Sequence, residues 1–99
     1  MYNAVLSYMG LARRAGKLSL GMQAVKKSVM SGRAFLVVIA SDISEKSEKE
    51  VRYFCAQRVK AVKIENTIFE VTQAIGCKAG IVSFDDRGFS KAVLEHISR

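Results

Sequence analysis

The first forty residues contain no aspartate or glutamate, and the chain of 99 residues contains no proline, no tryptophan and a single histidine. Each absence narrows what the chain can be. Without proline, glycines and capping side chains must mark where helices and strands end. The lone histidine, His96, supports neither two-histidine metal spacing nor a recognisable Ser-His or Cys-His arrangement, and a surface or packing role is expected for it. No Cys-x-x-Cys pair occurs either. Cys55 and Cys77 stand 22 positions apart with no second pair, which fits a reduced, cytoplasmic compartment. Long hydrophobic runs are missing as well. The longest, Ala34 to Ala40, has the length of a buried strand and is far too short to span a bilayer. Met1 to Met9 lacks the basic segment, long apolar stretch and small-residue cleavage site of a secretory leader, so neither a membrane anchor nor export is expected.

What the first forty residues do contain is six cations: Arg13, Arg14, Lys17, Lys26, Lys27 and Arg33. They supply nearly all of the formal net charge of +7, because ten Lys or Arg face nine acids from residue 41 onward. A localised excess of this kind attracts polyanions, nucleic acid more often than an anionic membrane. With 49% hydrophobic and 25% charged residues, the chain has enough apolar material for a core, and one domain over 1–99 is expected.

Helix and strand patterns alternate along the chain. Val5, Leu6, Met9 and Ala12 predict a helix over 3–14 that ends near Gly16. Lys17 to Leu20 alternate as a short half-buried strand, and Gly21 opens a second helix with Ala24, Val25, Ser28 and Val29 on one side, ending at Gly32. Phe35 to Ala40 read as a strand covered on both faces. Ser47 and Glu50 form a capping-box pattern ahead of Val51, Phe54, Cys55 and Val59, although that helix can start as early as Ser44. Val62 and Ile64 flank Lys63 in a third strand. Thr67 and Glu70 form another capping box before Ile68, Val71 and Ile75, and Gly76 closes that helix. Ala79 to Phe84 complete the strands, with Asp86 capping a last helix striped by Phe89, Val93 and Ile97. This order predicts an α/β fold, a mixed or parallel sheet with helices on both faces.

Few residues suggest catalysis. Asp85 and Asp86 are adjacent carboxylates, for which capping and solvation are the plainer roles. Gly21 to Ser28 approach a P-loop, but Lys26 stands where a second glycine must admit the phosphates. The stretch reads better as a nucleic-acid backbone site. A helix N-terminus presents unpaired amides and a positive dipole end, and glycine there permits close approach. Gln23 and Lys27, four residues apart, then share one face while Val25 and Val29 turn to the core. The plain alternative is a solvated helix face carrying two lysines.

The chain resembles the kink-turn-binding ribosomal protein family written L-seven-Ae and L-thirty-e, and within it the small bacterial YlxQ-type members. The resemblance rests on Gly-Leu-Ala-Arg-Arg-Ala-Gly-Lys-Leu at 10–18, Gly21 with Val25 and Lys27, Leu-Val-Val-Ile-Ala-Ser-Asp at 36–42, Ala-Ile-Gly at 74–76 and Asp-Arg-Gly-Phe at 86–89. It implies a three-layer α/β/α sandwich around a mixed four-stranded sheet, and a non-catalytic, cytoplasmic, monomeric protein without metal or cofactor. It further implies binding to a kinked or internally looped RNA, ribosomal or tied to translation. By the same resemblance Gly21 and Lys27 match the family's helix-start glycine and phosphate-contacting lysine, and Lys17, Met22 and Lys26 join them. Gln23 stands where ribosomal members usually have asparagine, and Ala24 where they usually have glutamate. Gly76, Cys77 and Lys78 fall in the nucleotide-contacting loop, and Ser44 matches a position after the second strand. Arg13 and Arg14 extend the basic surface or cover the first helix, and Arg33 serves either the field or a helix C-terminus. The departure at Ala24 and the short, polar loop at Gly76, Cys77 and Lys78 keep a second expectation open, a protein-interaction adaptor on the same fold. A third is an RNA-positioning domain that works beside a modifying enzyme.

Overall fold

Residues 3–97 are described in the computed structural model; Met1, Tyr2, Ser98 and Arg99 lie outside it, so the reading of Met1 to Met9 is covered only in part. Five helices and four strands alternate: α1 (Ala4–Arg14), β1 (Leu18–Leu20), α2 (Met22–Met30), β2 (Leu36–Ile39), α3 (Glu45–Cys55), β3 (Ala61–Lys63), α4 (Ile68–Ile75), β4 (Ile81–Phe84) and α5 (Arg87–Ile97). Local chemistry sets most of these boundaries. The Asn3 side chain caps α1 by accepting from the Leu6 amide, and Thr67 and Glu70 form the expected capping box on α4. Asp86 accepts from the Phe89 amide at 3.0 Å and starts α5.

The strands lie in the order β1-β4-β2-β3, with β4 antiparallel to both β1 and β2 and β3 parallel to β2. Alternation along β2 divides the core in two. Leu36 and Val38 pack with Val5, Met9, Val71 and Val93 of α1, α4 and α5, whereas Val37 and Ile39 pack with Val25, Val29, Val51 and Phe54 of α2 and α3. Helices therefore cover both faces of a mixed sheet in a three-layer α/β/α sandwich. Burial of the strand interior on both sides explains why β2 and β4 read as unbroken apolar runs.

Three local expectations need correcting. Ser44, not Ser47, caps α3, accepting from the Ser47 amide at 3.1 Å, so Glu50 lies inside the helix and away from its cap. Phe35 precedes the β2 ladder and stays 42% exposed, with the Arg87 guanidinium 5.5 Å above its ring. Ala24 is exposed, because in the first turn of α2 it falls on the rim of the stripe made by Val25, Ser28 and Val29.

Below α2 the fold is tied by one carboxylate. Asp85 accepts from Ser19 Oγ at 2.5 Å, Ser28 Oγ at 2.7 Å and Ser83 Oγ at 2.8 Å, which joins β1, α2 and β4. Ser28 and Ser83 are fully buried, so Asp85 is the acceptor for hydroxyls that have no water to turn to. Its role is structural, beyond the capping and solvation expected of it. On the other side of the sheet's edge, Glu48 is clasped by Lys63 at 2.9 Å and Arg52 at 3.0 Å, which hold its carboxyl below the ordinary range.

Candidate functional site

Strand direction decides which loops meet. Because β1, β2 and β3 run one way and β4 the other, the chain after β1, after β2 and before β4 emerges at a single end of the sheet. Backbone hydrogen bonds stitch that end together. Gly21 N–H donates to the Ile81 carbonyl at 2.9 Å, Ala40 to Gly80 at 2.8 Å, and Ser41 to Asn66 at 2.9 Å. Gly80 lacks room for a side chain, since a Cβ would sit 2.9 Å from Ile43 Cδ1 and 3.0 Å from Ile68 Cγ1. Such close packing holds the loop before β4 against the loops after β2 and β3.

Gly21 is the N-cap of α2 and has φ 87° and ψ 165°, a region that is essentially glycine-only. No side chain caps this helix, and no acid stands in its first turn. A Cβ at Gly21 would meet nothing within 4 Å, so nothing inside the protein requires a bare backbone there beyond its conformation. The first amides of α2 consequently point outward with the positive end of the helix dipole behind them. Met22, Gln23, Lys26 and Lys27 line one open depression on this helix, together with Met30 and with Glu50 of α3. Gln23 and Lys27 share a face, as their spacing predicts, and both are exposed.

The remaining expected residues divide. Gly76 ends α4 in a left-handed conformation (φ 76°), and Cys77 and Lys78 follow it, exposed, in the loop leading to the shared end of the sheet. Arg13 braces this loop by donating to the Ile75 carbonyl, and its Nη1 would lie 3.4 Å from a Cβ at Gly76. That contact commits Arg13 to a helix C-terminus. Ser44 reaches the same end of the sheet, where its hydroxyl serves as the α3 cap. Lys17 does not join them. It precedes β1, its carbonyl accepts from the Asp85 amide at 2.9 Å, and the length of the strand puts it about 13 Å from Gly21. Arg33 at the far end of α2 donates to Ser31 Oγ at 3.1 Å. His96 is exposed, with its ring 5.7 Å from that of Tyr8, in keeping with a packing role.

The two thiols differ. Cys55 is buried among Val25, Val51 and Phe54, and burial pushes its thiol up to about 11, which leaves it protonated and inert at neutral pH. Cys77 is exposed in the loop. Among the described residues, no group of three His, Cys, Asp or Glu is placed to hold a metal ion, and no helix is long and apolar enough to cross a membrane.

The sequence pattern of the Ribosomal protein L7Ae/L30e/S12e/Gadd45 family matches residues 3–93. The chain belongs to this family. One relative, a protein of Enterococcus faecium named RNA-binding protein YlxQ, is 32% identical over 98 residues, covering 93% of this chain and 89% of that protein. A solved Bacillus halodurans structure, described as a protein with unknown function, superposes with a TM-score of 0.92 at 28% identity, over 99% of this chain and all of that one.

Sequence reasoning missed the α3 side of the site. The sequence pattern points to Glu50 as a cap and gives no role to Tyr53 or Arg58, yet all three line a depression with Lys26 and Met30 of α2. A signal for Tyr53 was present, because it falls off the Val51, Phe54, Cys55 stripe and is a large aromatic on the polar side of an amphipathic helix.

Proposed function

We propose that this chain is a non-catalytic RNA-binding domain that docks on RNA through the N-terminus of α2, with the loop at Gly76, Cys77 and Lys78 as a second contact. The carrying observation is the uncapped α2 start at Gly21, in a glycine-only conformation, with Gln23, Lys26 and Lys27 on the adjoining surface and no acid in the first turn. Backbone amides can there approach phosphate or ribose, while Lys26 and Lys27 supply charge and Gln23 offers a donor and an acceptor to a base edge. Family membership and the printed name of the Enterococcus faecium relative support the same reading. The RNA class we assign is kinked or internally looped, of kink-turn type, associated with the ribosome or translation. The major groove of A-form RNA is too deep and narrow for side chains to read, so a helix start reaches its major-groove base edges only where the duplex opens.

The test is a titration of a kink-turn RNA and a control with its G·A pairs disrupted, repeated over a range of salt concentrations. The kink-turn should bind at least about tenfold tighter, a difference of about 1.4 kcal/mol. Log affinity should fall linearly with log salt, and Lys27→Ala should flatten the slope by about 1. Equal binding of both RNAs would remove the kink-turn assignment, and salt-independent affinity would remove the docking face itself.

A further inference from the structure

The depression beside Gln23 and Lys27 does not end with α2. It shares Lys26, Met30 and Glu50 with a second depression lined by Tyr53, Phe54 and Arg58, each of about 510 Å³, room for a nucleotide-sized ligand. Met22, Lys26 and Met30 form one row at four-residue spacing along α2, and Glu50 and Tyr53 lie three apart on α3, so the two helices flank both depressions as one groove-like surface. Two side chains stand out in it. Tyr53 is 84% exposed and Met30 54% exposed, although both are large and apolar.

We propose that the α2–α3 groove is a track for single-stranded RNA leaving the α2 docking face, in which the Tyr53 ring stacks on an unpaired base and Lys26 and Arg58 contact its flanking phosphates. This rests on the RNA-binding reading above and extends it to the single strand beside the kinked element. Two observations favour RNA over a protein in the groove. It adjoins Gln23 and Lys27 of the α2 docking face. Its charges, Lys26, Lys27 and Arg58 against Glu50, are net cationic. An exposed aromatic ring between cations is the arrangement by which single strands are held without regard to sequence.

The experiment uses the full chain and two RNAs, an internally looped hairpin and the same hairpin with a short single-stranded adenosine–uridine tail. Wild type should bind the tailed RNA more tightly. Tyr53→Ala should lose about 5- to 150-fold of affinity for the tailed RNA and almost none for the tailless one, while Tyr53→Phe, which keeps the ring, should behave as wild type. Truncation of so exposed a side chain opens no cavity, and unchanged thermal unfolding of each variant verifies this. Equal affinity of wild type for both RNAs, or a Tyr53→Ala loss that is the same for both, would overturn the track while leaving the α2 docking face standing. So would conversion of a wild-type dimer to a monomer by Tyr53→Ala in sedimentation, which would give the groove to a second copy of the chain. Failure of wild type to bind either RNA would remove the track and the RNA-binding reading together.

Discussion

Asp85→Ala is expected to destabilise the fold by roughly 2–6 kcal/mol, as much as truncating a core side chain. The figure follows from its partners. Ser28 and Ser83 are fully buried and donate to Asp85 Oδ1, so its removal leaves two hydroxyls without an acceptor, each at a cost of about 1–3 kcal/mol. Ser19, which donates to the other oxygen, is only half-buried and can recover a water. Against a total domain stability of about 5–15 kcal/mol, this loss brings the fold near its threshold. Urea unfolding measures it, with an unchanged m-value showing that the denatured state is the same. Adding Ser28→Ala and Ser83→Ala to the variant should restore part of the loss, because an orphaned buried hydroxyl costs more than an apolar one-for-one replacement. A loss below about 1 kcal/mol for Asp85→Ala would show that the three hydroxyls do not depend on this carboxylate.

Gly21→Val is expected to have the largest effect on RNA affinity, a fall of roughly 10- to 150-fold. A β-branched residue at φ 87° and ψ 165° is strained by about 1–3 kcal/mol, and its side chain would project into open space in front of the first α2 amides. The position where the proposed RNA backbone approaches would then be filled. Strain alone must be separated from obstruction, and the fold supplies the control. Gly32, beyond the other end of α2, also has a positive φ, 79°, and likewise has nothing within 4 Å of a Cβ. Gly32→Val should therefore lose comparable stability and keep its RNA affinity. Equal loss of affinity in both variants would mean that Gly21 acts through folding alone.

These two residues also mark how far the sequence could be read. The α2 start was legible because everything it needs is local: a glycine before an apolar stripe at helical spacing, with Gln23 and Lys27 four residues apart and Lys26 beside them, all off the stripe. The same holds for the Thr67 and Glu70 capping box and for the unbroken run of β2. Asp85 was not legible. Its partners come from positions 19, 28 and 83, and only the antiparallel pairing of β4 with β1, with α2 laid across it, brings them together. Lys17 shows how sequence proximity misleads, since four positions in sequence become the length of a strand in space. For α3 the sequence offers two starts, Ser44 and the Ser47–Glu50 box, and the structure takes the earlier one. A capping box one turn later looks the same until the strand before it is known to end at Ile39. Tyr53 falls off the apolar stripe of α3, but its meaning depends on Lys26 and Met30 of a different helix lining the same depression.

Docking of RNA on the first turn of α2 is tested most directly by backbone amide chemical shifts followed during titration of the labelled protein with a kink-turn RNA. The largest changes are expected at Met22, Gln23 and Ala24, with a second set at Gly76, Cys77 and Lys78 and little at Phe35 and Arg87 on the far end of the sheet. Changes centred on Phe35 and α5, or none at the α2 amides when the RNA is saturating, would contradict it.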